Sequence, residues 1–144
     1  MIDLLHKQLF LVDDDELILK SFSRHLKNLG FENIKTFDNG GAALNQLTEN
    51  PFLVLLDYQM ADLNGFEVLR KIKRYNPNTY VIMLSSQDDL QSAVNTLKFG
   101  AFDYIIKGDA DMQNLQKALE RIAKLDARIL APRKSLFSKV FSLV

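Results

Sequence analysis

Five consecutive large apolar residues, Phe52-Leu53-Val54-Leu55-Leu56, are followed at once by Asp57. A strand with one wet face alternates apolar and polar residues, whereas an unbroken run is buried on both faces, as in the middle of a parallel sheet covered by helices. Three other short apolar runs end in polar residues too, at Asp13-Asp14-Asp15, Ser85-Ser86 and Lys107. The carboxyl ends of the strands of an open parallel sheet share one edge, so these residues are expected to meet in one crevice.

Stretches of helical period separate the runs, which is the pattern of repeated strand-helix units. Strands are expected at residues 9–12, 34–37, 52–56, 80–84 and 102–106. Leu17, Ile18, Phe22, Leu26 and Leu29 recur at helical spacing up to Gly30; Ala43, Leu44 and Leu47 mark a brief helix that must end before Pro51. Phe66, Leu69 and Ile72 mark a third helix, and Leu90, Ala93, Val94 and Leu97 a fourth, closed by Gly100. Leu115, Leu119 and Ile122 place a fifth within about residues 110–130. Asp15 reads as an N-terminal acid of the first helix, and Ser86 as the cap of the fourth with Asp88 or Asp89 in its first turn. The fold class is α/β: a doubly wound, flavodoxin-like, five-stranded parallel sheet of order 2-1-3-4-5 in three αβα layers.

Composition narrows the function. The 144 residues fit one domain. With 18 basic and 18 acidic side chains there is no global positive field, so direct nucleic-acid binding is not expected. The absence of cysteine excludes disulfides, thiol catalysis and cysteine-ligated metal sites. No apolar stretch is long enough for a membrane span, and a cytoplasmic protein is expected. His6 and His25 are separated and read as surface residues.

Asp13, Asp14 and Asp57 would put three negative charges together at the shared edge, which requires positive neutralisation. Lys107 supplies one charge and a divalent cation two. Oxygen-only ligands favour a hard ion, Mg²⁺ first and Mn²⁺ second. Such a site suits phosphoryl transfer onto a carboxylate, with Asp57 as nucleophile and Lys107 and the metal stabilising the transferring group. Ser85 can donate a hydrogen bond to that group, and the added charge on Asp57 would draw the Ser85 loop inward.

Four segments carry a family resemblance: LVDDD at 11–15, LLDYQMADLNGFEVL at 55–69, VIMLSS at 81–86 and GAFDYIIKG at 100–108. Together they resemble the receiver domain of bacterial response regulators, over residues 8 to 128. The resemblance implies Asp57 as phosphoacceptor; Asp14, Asp57 and the main-chain carbonyl of Gln59 as Mg²⁺ ligands, with Asp13 acting through water; and Lys107 paired with the phosphoryl group. It implies Ser85 and Tyr104 as a switch pair and output read on the surface of helix four, strand five and helix five. A sensor histidine kinase or phosphotransfer protein is the implied donor.

The chain departs from that pattern where Gly108 follows the lysine in place of the usual proline, where Ala61 replaces proline and where Ser86 replaces alanine. Gln59 and Gln87 occupy positions that in the family influence attack by water. Residues 1–130 are assigned to the receiver, and 131–144 to an amphipathic extension or linker with Leu136, Phe137, Val140, Phe141 and Val144 at helical spacing. That segment reads as a linker to a C-terminal output domain, a sixth helix packed on the receiver or on the second copy of a homodimer, or a weak membrane-surface anchor. Two rival functions stand beside the receiver reading. An aspartyl-nucleophile phosphatase usually needs a second acid where Gln59 stands; an unphosphorylated interaction module would have no use for the full acid, hydroxyl and lysine set.

Overall fold

A computed structural model describes residues 2–126; the segment 131–144 and any continuation of the fifth helix to about residue 130 lie outside the described residues. Five parallel strands, β1 (Leu9–Val12), β2 (Ile34–Phe37), β3 (Leu53–Asp57), β4 (Tyr80–Ser85) and β5 (Asp103–Ile106), form one sheet in the order β2-β1-β3-β4-β5. The helices are α1 (Glu16–Asn28), α2 (Gly40–Asn45), α3 (Gly65–Tyr75), α4 (Leu90–Lys98) and α5 (Asp111–Leu125). This is the expected flavodoxin-like fold. Among the described residues no helix is long and apolar enough to cross a membrane.

The unalternating strand sequences are explained by a core on each side of the sheet. Alternate strand residues Leu9, Leu11, Leu53, Leu55, Ile82 and Leu84 join Phe22 and Leu26 of α1 and Leu115, Leu119 and Ile122 of α5. The residues between them, Phe10, Val12, Val54, Leu56, Val81 and Met83, join Ala43 of α2 and Val68, Leu69 and Ile72 of α3. Every residue of β3 is buried, Asp57 included. The strand therefore starts one residue later than the apolar run and takes in the acid that follows it.

Two helix faces differ from expectation. Leu17 is 76% exposed, because Leu19, Phe22 and Leu26 define the buried face of α1 and Leu17, two residues before Leu19, points the other way. The same inversion governs α4, where Ser92 and Thr96 are buried while Leu90, Val94 and Leu97 face outward. Burial of the two hydroxyls is tolerated because both are satisfied locally: Thr96 Oγ1 donates to the Ser92 and Ala93 carbonyls, and Ser92 Oγ donates to Asp89 at 2.6 Å. Asp89, not Ser86, caps this helix, accepting from the Ser92 amide, while Asp15 caps α1 as expected.

Candidate functional site at the carboxyl edge of the sheet

Strand register brings the candidate residues together. Val12 is level with Leu56, Asp57 with Leu84, and Ser85 with Ile106, so Asp13, Asp57, Ser85 and Lys107 all reach the same edge. Backbone hydrogen bonds continue the sheet past the strand ends, from Tyr58 N–H to the Leu84 carbonyl and from Lys107 N–H to the Ser85 carbonyl. Gly65 lets α3 begin directly against this edge: a Cβ there would sit 2.3 Å from the Asp57 carbonyl oxygen. The Asn64-Gly65 pair is a helix-start signal in the sequence, and Gly65 has the further role of admitting this close approach.

Lys107 lies between two acids, its Nζ 2.8 Å from Asp13 Oδ2 and 2.9 Å from Asp57 Oδ1. Asp14 is exposed and is held instead by the Ala61 amide, which donates to Asp14 Oδ2 at 3.0 Å. One carboxylate oxygen from each of Asp13, Asp14 and Asp57 lies within 4.8 Å of the others. These are hard oxygen donors with net negative charge beside a single lysine, a set suited to a divalent cation. Gln59 is exposed in the loop that follows β3, and its backbone N–H contributes a hydrogen bond to the Asp57 carboxylate.

Burial pushes the Asp57 carboxyl up to about 6, outweighing the Lys107 hydrogen bond, and the Asp13 charge pushes in the same direction. For Lys107 the balance is reversed. Burial alone would lower it, but hydrogen bonds to Asp13 and Asp57 hold it above the ordinary lysine value. One ammonium is well served by two carboxylates, whereas Asp57 shares that ammonium and still faces the Asp13 charge. The edge therefore carries uncompensated negative charge that a further cation would relieve.

Ser85 and Tyr104 meet through the main chain of Gln87. Ser85 Oγ accepts from the Gln87 amide at 3.0 Å, and the Tyr104 hydroxyl donates to the Gln87 carbonyl, also at 3.0 Å. Burial raises the Tyr104 hydroxyl above its ordinary value, so it remains a donor at neutral pH. The Tyr104 ring stands edge-on to Tyr58, the residue after Asp57, with centroids 6.3 Å apart. No side-chain signal marks Gln87, since only its backbone is used.

Among the described residues, neither histidine hydrogen-bonds or pairs with a residue of this edge. His6 is exposed and contacts Glu32 at 2.8 Å. His25, expected at the surface, is half-buried on α1, with Nε2 buried and without a hydrogen-bond partner among the described residues.

Residues 9–120 match the response regulator receiver domain. The chain belongs to that family. The receiver is 36% identical over 137 residues to the transcriptional regulatory protein ZraR of Escherichia coli, covering 92% of this chain but 31% of ZraR. It thus spans about a third of that relative's length. It is also similar to the BeF3-activated DrrB receiver domain (TM-score 0.70, 35% identity, 80% of this chain and 98% of that one); DrrB is a Thermotoga maritima OmpR/PhoB homologue. A CheY-like receiver protein from Methanospirillum hungatei matches with TM-score 0.73 and 30% identity over 83% of this chain and 95% of its own. As a receiver of two-component response regulators, the chain is a signalling domain, and its three acids form a candidate divalent-metal site.

Proposed function

We propose that this receiver takes a phosphoryl group from a phosphohistidine onto Asp57 in the presence of Mg²⁺, and relays the modification through Ser85 and Tyr104. The observation that carries the reading is the Lys107 ammonium spanning Asp13 and Asp57 beside Asp14, at the open edge of the sheet. A carboxylate oxygen of Asp57 attacks phosphorus, the phosphorus–nitrogen bond to the imidazole breaks, and the departing imidazole takes up a proton. Asp13, Asp14, Asp57 and the Gln59 carbonyl would hold the Mg²⁺, which supplies charge neutralisation for the phosphoryl oxygens. Lys107 pairs with the phosphoryl group, an exchange of one anionic partner for a more highly charged one.

Relay follows from the hydrogen bonds around Gln87. When the Ser85 hydroxyl turns to donate to a phosphoryl oxygen, it stops accepting from the Gln87 amide. The loop that also holds the Tyr104 hydroxyl is then free to shift, and with it the adjoining surface of α4, β5 and α5. The donor partner is a sensor histidine kinase or a phosphotransfer protein. The experiment is beryllofluoride titration followed by amide NMR. Mg²⁺-dependent shifts centred on residues 57, 85, 87 and 104 are expected, and Asp57→Ala should abolish them. Equal shifts in Asp57→Ala, or none in the parent with both additives, would overturn the reading.

A further inference from the structure

The loop from Tyr58 to Asn64 joins Asp57 to α3 and carries Gln59, whose carbonyl the proposed function assigns to the metal. Its two ends are secured by the Tyr58 amide on the Leu84 carbonyl and by Asn64, which caps α3 through the Glu67 amide at 2.9 Å. Its middle is secured by Asp62, whose side chain reaches a different helix. Asp62 Oδ1 accepts from the Gly40 amide at 3.2 Å and Oδ2 from the Gly41 amide at 3.0 Å, while Asn39 accepts from Ala42 at 2.8 Å. Asp62 and Asn39 thus share the free amides at the start of α2. One residue before Asp62, the Ala61 amide donates to Asp14, an interaction that a proline at that position would lack. The loop is therefore fastened to α2 by one side chain and to a proposed metal ligand by the adjacent backbone.

We propose that Asp62 is a positioning residue of the metal site: by gripping Gly40 and Gly41 it fixes the loop so that the Gln59 carbonyl and the Asp14 carboxylate are presented together. The inference rests on the function proposed above and adds a residue to which that reading gives no role. Asp62 itself makes no hydrogen bond or ion pair with Asp57 or Lys107 among the described residues; it acts through the loop. Its exposed carboxyl loses a little solvation there, but the Gly41, Leu63 and Gly40 amides outweigh this and hold it below the ordinary aspartate value, so it stays anionic. Groups that orient ligands from behind typically change metal affinity by about 10–100-fold when removed.

The test is Mg²⁺ titration by calorimetry on the parent, Asp62→Ala and Asp62→Asn, with thermal melting in EDTA alongside. Asp62→Ala should raise the Mg²⁺ dissociation constant roughly tenfold, the low end of that range. Asp62→Asn, which keeps one acceptor oxygen in nearly the same shape, should fall between Asp62→Ala and the parent and carries the test if the alanine variant does not fold. A purely structural role would lower the melting temperature in EDTA and leave Mg²⁺ affinity within twofold of the parent, which overturns the proposal alone. No Mg²⁺ binding by the parent, or binding unchanged in Asp57→Ala, overturns the functional reading and this inference with it.

Discussion

The two helices that flank β5 are built on opposite plans. α5 buries Leu115, Ala118, Leu119, Ile122 and Ala123, and its N-cap, Ala110, makes no side-chain capping bond. α4 is capped by Asp89 yet buries only Ser92 and Thr96, and no residue of it belongs to either buried apolar cluster among the described residues. Leu90, Val94 and Leu97, the residues that make its sequence look amphipathic, are 80, 48 and 45% exposed. One helix is fixed by packing, the other by hydrogen bonds within its own turns. Segments with few buried apolar contacts open locally at low free energy, so α4 is the softer side of the pair. It begins just after the Gln87 backbone on which Ser85 and Tyr104 converge.

The largest effect is expected on the packed side. Leu119 is fully buried among Leu115, Ile122 and the strand residues of the same cluster. Leu119→Ala should destabilise the fold by about 2–5 kcal/mol, read by denaturant unfolding. A loss below about 1 kcal/mol would show that α5 is no better anchored than α4 and would break the comparison.

Next in size is the charge at the carboxyl edge of the sheet. Asp57 rises from an ordinary 3.8 to about 6 in the folded protein. Between those values the unfolded chain has lost the proton while the folded one keeps it, so stability falls as pH rises through that window and the full penalty is present above it. Asp57→Asn should therefore stabilise the protein at neutral pH, by on the order of 1–2 kcal/mol after allowing for screening at an open edge. The gain should vanish below about pH 4. The strain belongs to the edge, not to α4, so hydrogen exchange should show the gain in global opening and leave the local opening of α4 unchanged. A gain confined to α4 amides, or one that persists at low pH, would refute this.

The same contrast explains how far the sequence could be read. The central strands β1, β3 and β4 were legible because burial on both faces keeps their interiors apolar, and the meeting of Asp13, Asp57, Ser85 and Lys107 followed from parallel topology alone. For α1, α3 and α5, residues at helical spacing largely gave the inward face, Leu17 aside. In α4 the same reasoning chose the wrong face: periodicity shows that a helix has two sides and does not show which side the sheet takes, when buried hydroxyls can be satisfied by their own helix. Asp62 was invisible for a related reason, since its partners are backbone amides of residues 40 and 41 and leave no side-chain trace. Gln87 stands out in the sequence only through the family resemblance, and its contacts with Ser85 and Tyr104 again run through its backbone.

A change of about 1 kcal/mol is expected from the cap. Asp89 accepts from the Ser92 amide at 3.2 Å and from its hydroxyl at 2.6 Å, so Asp89→Ala removes both at the start of a helix with little packing to replace them. Hydrogen exchange should quicken along α4 and stay unaltered in α5. Equal acceleration in both helices would mean that they open as one unit and that the distinction between them is false.

The smallest effect is the most discriminating. Leu90 is 80% exposed, so its apolar side chain gains almost nothing from the folded state of one molecule, and Leu90→Ser should shift stability by no more than about 0.5 kcal/mol. That expectation holds only if the outward stripe of Leu90, Val94 and Leu97 stays in water. If a second copy covers it, the substitution will cost more as protein concentration rises, because binding contributes to apparent stability by mass action. Melting of the parent and Leu90→Ser across a hundredfold range of concentration separates the two cases. A concentration-independent small difference leaves α4 as a soft, exposed helix; a growing one makes its apolar face a packing surface after all, with its partner outside the chain.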